Sequence, residues 1–327
     1  MKVIKNIAVP TGNICIVKGE KGLLEFVSLG DYGKEKNIKA DFMGLSREIN
    51  GVPHGALLPL EEKWVITIST QYGCSMGCKF CDVPKVGPGI NATYDDLINQ
   101  VIAGIKLHPE VQATKRLNIH FARMGEPTYN DNVLKAARNL RSVINPYLGR
   151  SLVHPVVSTM MPNIGFIHLT KFLNEWIEIK NYDYRGDAGL QLSINSTSDE
   201  ARREMFSGNS LVLADISAVA KDLGVPKGRK ITLNFALTNA PVDAEILLKL
   251  FNPKYFLIKI TPMHITKSCQ TNSLLTSNGY EYYYPYKEVE ESLKKVGFDV
   301  IVFIPSKEED ESRITCGNAI LSDYSKI

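Results

Sequence analysis

The chain has almost no surplus charge. Its 38 Lys and Arg against 35 Asp and Glu leave a formal net charge of +3 over 327 residues. That balance gives no broad basic field of the kind that draws nucleic acid. The one basic knot, Lys227, Arg229 and Lys230, precedes a strand-like run and reads as a solvated turn. No apolar run reaches the length of a membrane-spanning helix, so no membrane partner is expected. The start, MKVIKNIAVPTG, lacks the continuous apolar stretch of a signal peptide. There is no fixed-period repeat and no low-complexity segment. Six cysteines, three of them in one loop, do not make a disulfide framework. What remains is a chain with 44% hydrophobic residues, enough for a sizeable core, and a length that suits one large domain with a small appendage.

The three clustered cysteines carry the chemistry. Cys74, Cys78 and Cys81 stand in QYGCSMGCKFCDVP with spacing C-x3-C-x2-C. Three thiolates so spaced can hold three irons of a [4Fe–4S] cluster and leave the fourth iron open to substrate. A ferredoxin-type run would add a fourth cysteine close by, and none follows. Zinc would want a fourth Cys or His nearby, and His54 and His108 are far off in sequence. The triplet resembles that of the radical S-adenosylmethionine (SAM) superfamily. There, the open iron chelates SAM and reductively cleaves it to a 5′-deoxyadenosyl radical. An oxygen-sensitive cluster also points to the reducing cytoplasm.

The pattern along the chain gives the triplet a place. Residues 1–60 hold the β-like runs NICIVKG and LLEFVSLG and read as a small β-rich extension. Over 61–327, strand-like and helix-like runs alternate. The strands are KWVITIST, KRLNIHFAR, SLVHPVVST, GLQLSIN, RKITLNFALT and YFLIKITP, with a late strand in DVIVFIP. Helical periodicity fills the gaps, as in TYDDLINQVIAGIKLH and DNVLKAARNLRSVI. This alternation predicts an α/β fold with a parallel sheet, a partial (β/α)6 barrel. Chemistry in such barrels gathers at the C-terminal ends of the strands, where the cysteine loop begins.

Other polar residues fall on the same rim. Gly125 and Glu126 follow the second strand, Ser158 closes the third, Ser193, Ile194 and Asn195 close the fourth, and His264 follows the sixth. A Gly-Glu turn can present a backbone carbonyl and a carboxylate to an ammonium group, such as that on the methionine part of SAM. A strand-end hydroxyl can hold a ribose or carboxylate oxygen. Each has an ordinary structural reading as a turn or helix cap; their common rim favours a cofactor pocket.

STQYGCSMGCKFC, MGEPTYNDNVLKA, LSINSTSDEARREM and ITCGNAI together resemble the RlmN/Cfr family of radical SAM adenosine methyltransferases, over roughly residues 54–320 with insertions near 175–187 and 265–280. The resemblance implies SAM contacts at Gly125, Glu126, Ser158 and the Ser193–Asn195 segment, and an electron donor such as flavodoxin or ferredoxin. It also implies that Cys316 takes a methyl group from a first SAM. The radical from a second SAM then abstracts hydrogen from that group, and the carbon radical adds to an sp2 carbon of adenine. A lone cysteine is ordinarily buried and inert. The run KEEDESRITCGNAI is polar and turn-like, a better setting for a nucleophile.

The chain also departs from the family. Where the family has a resolving cysteine, seven residues before Cys74, this chain has Thr67, which cannot form a disulfide. The family's glutamate base matches His54, which can act near neutral pH. The SAM-contacting asparagine after the sixth strand matches His264. Only 53 residues precede His54, leaving little room for the family's helical RNA-gripping domain. Cys269, in the insertion after the sixth strand, is the candidate substitute for the resolving thiol.

Three readings follow. In the first, Cys316 alkylates a non-ribosomal acceptor. The second is an RNA adenosine methyltransferase, of ribosomal or transfer RNA, with Tyr280, Tyr282, Tyr283, Tyr284 and Tyr286 either stacking on a base or packing within a loop. The third is a non-catalytic iron–sulfur binding protein. Fold and cofactor do not separate the first two, because one fold serves small-molecule and RNA acceptors alike.

Overall fold

A computed structural model describes residues 1–31, 48–49, 52–53, 57–274, 286–303, 314 and 319–321. His54, Cys316, Tyr280, Tyr282, Tyr283 and Tyr284 lie outside the described residues.

The chain opens with three antiparallel strands, β1 (Lys2–Val9), β2 (Gly12–Lys18) and β3 (Leu23–Gly30), followed by a short ladder of β4 (Glu48–Ile49) and β5 (Val52–Pro53). β6 (Trp64–Ile68) begins the parallel part. A small hairpin follows, β7 (Gln71–Gly73) with β8 (Pro88–Asn91), and encloses the cysteine loop. Then come β9 (Leu117–Phe121), β10 (Val153–Thr159), β11 (Gly189–Ser193), β12 (Ile231–Leu237), β13 (Phe256–Pro262) and β14 (Asp299–Val302). One ten-stranded sheet runs β1-β2-β3-β6-β9-β10-β11-β12-β13-β14. From β6 onward every neighbouring pair is parallel, and β3 joins β6 antiparallel, with Val27 opposite Thr67.

The expected α/β partial barrel with N-terminal strands is therefore observed. Its late strand β14 adds a seventh parallel member beside β13, and the N-terminal strands continue the same sheet. Trp64 locks that junction: its fully buried indole donates to Ser28 Oγ at 2.9 Å. Buried indole N–H groups need such a partner.

Helices α1 (Tyr94–Lys106), α2 (Asn132–Leu148), α3 (Phe166–Glu178), α4 (Asp199–Met205), α5 (Leu213–Asp222), α6 (Ala244–Leu250), α7 (Lys267–Thr271) and α8 (Tyr286–Lys295) connect the strands. α1 starts where the sequence dictates. Thr93 accepts the Asp96 N–H and Asp96 accepts the Thr93 N–H, a reciprocal capping box, and Leu97, Val101 and Ile105 then fall on one buried face. α4 and the β7–β8 hairpin escape sequence periodicity because both are too short to show it. Tyr286 is fully buried in the core at the start of α8, so it offers no stacking face.

The strands show why a cavity forms. In β12, Ile231, Leu233, Phe235 and Leu237 are buried against the helices, while Thr232, Asn234 and Ala236 are partly open. β13 repeats this with Ile258 and Ile260 against Leu257 and Lys259. Successive side chains alternate faces, so the helix-covered face holds the apolar core and the other face is left to line a lumen.

Candidate active site

The lumen is a cavity of about 400 Å³ at the C-terminal ends of the parallel strands. Its wall contains Cys74, Cys78 and Cys81 together with Gly125, Glu126, Ser158, Ser193, Asn195 and His264. Ile194 is different. It is fully buried in the core and is absent from the cavity wall, because alternation turns it away from its two neighbours.

The cysteine loop is held from both sides. On one side Met205 O accepts the Lys79 N–H at 2.9 Å, Ser207 Oγ donates to Gly77 O at 2.6 Å, and Asn209 donates to Met76 O at 2.9 Å. On the other side lies the start of α7. Asp82 accepts from Ser268 N at 3.0 Å, from Ser268 Oγ at 2.7 Å and from Lys85 Nζ at 2.8 Å. Thr266 Oγ1 donates to Phe80 O at 2.8 Å. Met76, Phe80, Met205, Phe206 and Met263 form an apolar collar around the loop, with Phe80 edge-on to Phe206 at 5.8 Å. Cys269 sits in that collar. It is 1% exposed, outside the cavity wall, and its thiol donates to the carbonyls of His264 at 3.3 Å and Phe80 at 3.6 Å.

The thiols resist ionisation on their own. Burial pushes Cys74 up to about 11, and burial with the neighbouring Cys81 and Cys74 pushes Cys78 well above the ordinary thiol value. Three thiolates here need cationic metal among them. Among the described residues no three His, Cys, Asp or Glu side chains converge on one metal-ion position. A zinc ion requires such convergence. In an iron–sulfur cube each thiolate binds a different iron, and three cysteines on one cavity wall fit that donor set.

The turn after β9 is built around Gly125. Its φ of +90° is open to glycine, and a Cβ would lie 2.5 Å from Gln71 Cβ. Gln71 accepts the Glu126 N–H at 2.9 Å and donates to Gly89 O and Asn91 Oδ1, each at 2.8 Å. Glu126 is 2% exposed, and burial raises its carboxyl above the usual range against hydrogen bonds from Met160 and Thr128 that lower it. Asn195 adopts φ +59°, a region asparagine tolerates, and its Oδ1 accepts the Ala236 N–H at 3.0 Å. Thr67 lines the lumen beside His120.

Several lining residues were not anticipated. Gln191, Asn234, Lys259 and Thr261 project from β11, β12 and β13 into the lumen, and Arg123 borders the Gly125 turn. A polar residue at every second position of an otherwise apolar strand, as in GLQLSIN and YFLIKITP, was the signal for the first group.

No family model matches the chain. It is 27% identical over 214 residues to the dual-specificity RNA methyltransferase RlmN of Syntrophotalea carbinolica, covering 63% of this chain and 52% of that protein. To RlmN of Sorangium cellulosum it is 26% identical over 262 residues, 78% of this chain and 61% of the relative. The chain thus spans about half to three fifths of the length of these relatives. Among solved structures, a radical SAM methyltransferase from Sphaerobacter thermophilus superposes with TM-score 0.61 at 17% identity, covering 93% of this chain and 76% of that one.

Strand order and this superposition show that the chain shares the α/β fold of that protein. In sequence the chain is similar to RlmN methyltransferases, and in fold to a radical SAM methyltransferase. Among the described residues no helix is long and apolar enough to cross a membrane.

Proposed function

We propose that the protein is a cytoplasmic radical SAM enzyme that passes a methyl-derived carbon through Cys316 to an sp2 carbon of a non-ribosomal acceptor. The observation that carries the reading is that one cavity wall gathers Cys74, Cys78 and Cys81 with the Gly125–Glu126 turn and the strand-end polar groups Ser158, Ser193, Asn195 and His264. When bound, the cluster supplies the electron, delivered by a flavodoxin or ferredoxin, that splits SAM to a 5′-deoxyadenosyl radical.

The chain's own groups have distinct tasks in this reading. Cys74, Cys78 and Cys81 hold three irons. The Gly125–Glu126 turn and Ser158 orient the methionine and ribose parts of SAM. Met76, Phe80 and Met263 exclude water from the reacting end, which protects a radical from quenching. Cys316 carries the carbon, and His54 is the proton acceptor.

Three observations support an acceptor other than ribosomal RNA. Thr67, on the lumen wall, has a hydroxyl where the family's disulfide partner stands. Cys269, the substitute thiol, is buried away from that wall, so in this reading it supports the cluster loop and an external thiol releases the product. The net charge of +3 adds no phosphate-binding excess. The test is anaerobic incubation with methyl-labelled SAM and, separately, ribosomal RNA, transfer RNA and a metabolite extract. Label in a small-molecule fraction is expected. Multiple-turnover label in ribosomal adenosine would overturn the choice of acceptor.

A further inference from the structure

Two buried charges join both ends of the chain to the rim of the cavity. Glu25 lies in β3 and Arg123 lies two residues before Gly125; their side chains are 0% and 3% exposed and form an ion pair. The pair does not stop at itself. Arg123 donates to Ile314 O at 2.8 Å. The second Glu25 oxygen accepts the N–H groups of Ala319 and Ile320, the latter at 3.2 Å. Ile14, Ile16, Val27 and Leu29 of β2 and β3 pack in the same apolar cluster as Ile314 and Ala319. Ile314 is itself part of the cavity wall.

A buried ion pair adds little raw stability, because desolvation offsets the Coulomb attraction; its better-attested use is to fix one arrangement among several. Apolar packing alone would hold the C-terminal segment against the strands without choosing its register. Backbone groups of residues 314, 319 and 320 complete the hydrogen bonds of both charges, so the pair selects that register.

We propose that Glu25 and Arg123 are positioning residues that fix Ile314 at the wall of the cavity and Ala319 and Ile320 beside it, and that methyl transfer to Cys316 depends on this anchor; this rests on the reading of Cys316 as carbon carrier. Cys316 stands two residues after Ile314 and three before Ala319, so the anchors bracket it in sequence. Arg123 opens the same short loop that carries Gly125 and Glu126. Ile314 and the cofactor turn are thereby referenced to one another. The N-terminal strands acquire a role as the platform for Ile314, Ala319 and Ile320.

The experiment uses the full, cluster-loaded chain and compares wild type with Glu25→Gln and Arg123→Lys, and with Glu25→Asp as the conservative rescue. Two readouts are taken: amide hydrogen exchange at Ala319 and Ile320, and transfer of label from methyl-labelled SAM to Cys316. In wild type the two amides should be protected. In Glu25→Gln they should exchange at least about tenfold faster, and labelling of Cys316 should fall at least about tenfold, with iron content and acceptor-free SAM cleavage little changed. Arg123→Lys should fall between, and Glu25→Asp should recover part of the labelling. Faster exchange with undiminished labelling overturns the proposal, as do unprotected amides in folded wild type. Wild type that cleaves SAM but never labels Cys316 would instead sink the carrier reading, and the exchange data would still decide whether the anchor exists. A Glu25→Gln chain too unstable to purify leaves the wild-type exchange pattern and Arg123→Lys to decide.

Discussion

The carboxylate of Glu126 accepts the backbone N–H of Met160 at 2.8 Å, across the C-terminal ends of β9 and β10. Its other oxygen accepts Thr128 N at 3.1 Å and Thr128 Oγ1 at 2.8 Å. A carboxylate offers about four lone-pair sites, so few remain for a ligand. The residue that sequence marked as an ammonium partner is thus also a staple of the rim. Glu126→Ala should strand buried N–H groups and lower stability by about 1–3 kcal/mol. It should also weaken SAM binding. Urea unfolding and equilibrium SAM binding check the pair of effects; a variant of wild-type stability would show that the staple is dispensable.

Gly125→Ala is expected to be worse for the cofactor than for the fold. The new Cβ would press on Gln71, the side chain that orders the turn and β8. SAM affinity should drop at least about tenfold, with the thermal midpoint lowered by only a few degrees. Unchanged affinity would remove Gly125 from the pocket.

Asp82 is predicted to matter for cluster loading although it binds no metal. It joins the cysteine loop to α7 through Ser268 and Lys267, and Asp82→Ala removes all of those acceptors. Reconstituted iron per chain should fall at least about twofold, the usual cost of an unsupported ligand shell. Full occupancy in the variant would mean that the loop organises itself.

His154 gives a pH dependence remote from the cluster. Burial, then the nearby Arg116 and Arg229, lower its pKa from 6.5 to about 4, against Asp187, which raises it. The unfolded chain therefore binds the extra proton between those values. Stability is greatest above pH 6.5 and declines as pH falls toward about 4. His154→Gln should flatten that slope in urea midpoints measured from pH 7 to 4.5. An identical slope in both proteins would assign the acid sensitivity elsewhere.

Much of this was legible before the structure. Alternating apolar runs gave the strands, and the cysteine spacing fell directly after β6, because both are local patterns. Ile194 stands between two lumen-lining neighbours, and alternation turns its side chain into the core. What could not be read was long-range. Glu25 and Arg123 are 98 residues apart, and nothing local pairs them. The attachment of β3 to β6 is likewise a choice among sheet edges that sequence pattern does not make. Cys269 looked available because it lies in a polar insertion; its burial comes from the cysteine loop packing over it.

The central claim is tested most directly by anaerobic SAM cleavage. Cluster-reconstituted, reduced wild-type protein is incubated with SAM beside variants in which Cys74, Cys78 or Cys81 is replaced by alanine, and 5′-deoxyadenosine is quantified by mass spectrometry. Wild type should form 5′-deoxyadenosine at more than about a hundred times the rate of any single variant, since each cysteine holds its own iron. Formation of no 5′-deoxyadenosine by a fully loaded wild type, or equal formation by a variant lacking one of the three thiols, would contradict the account.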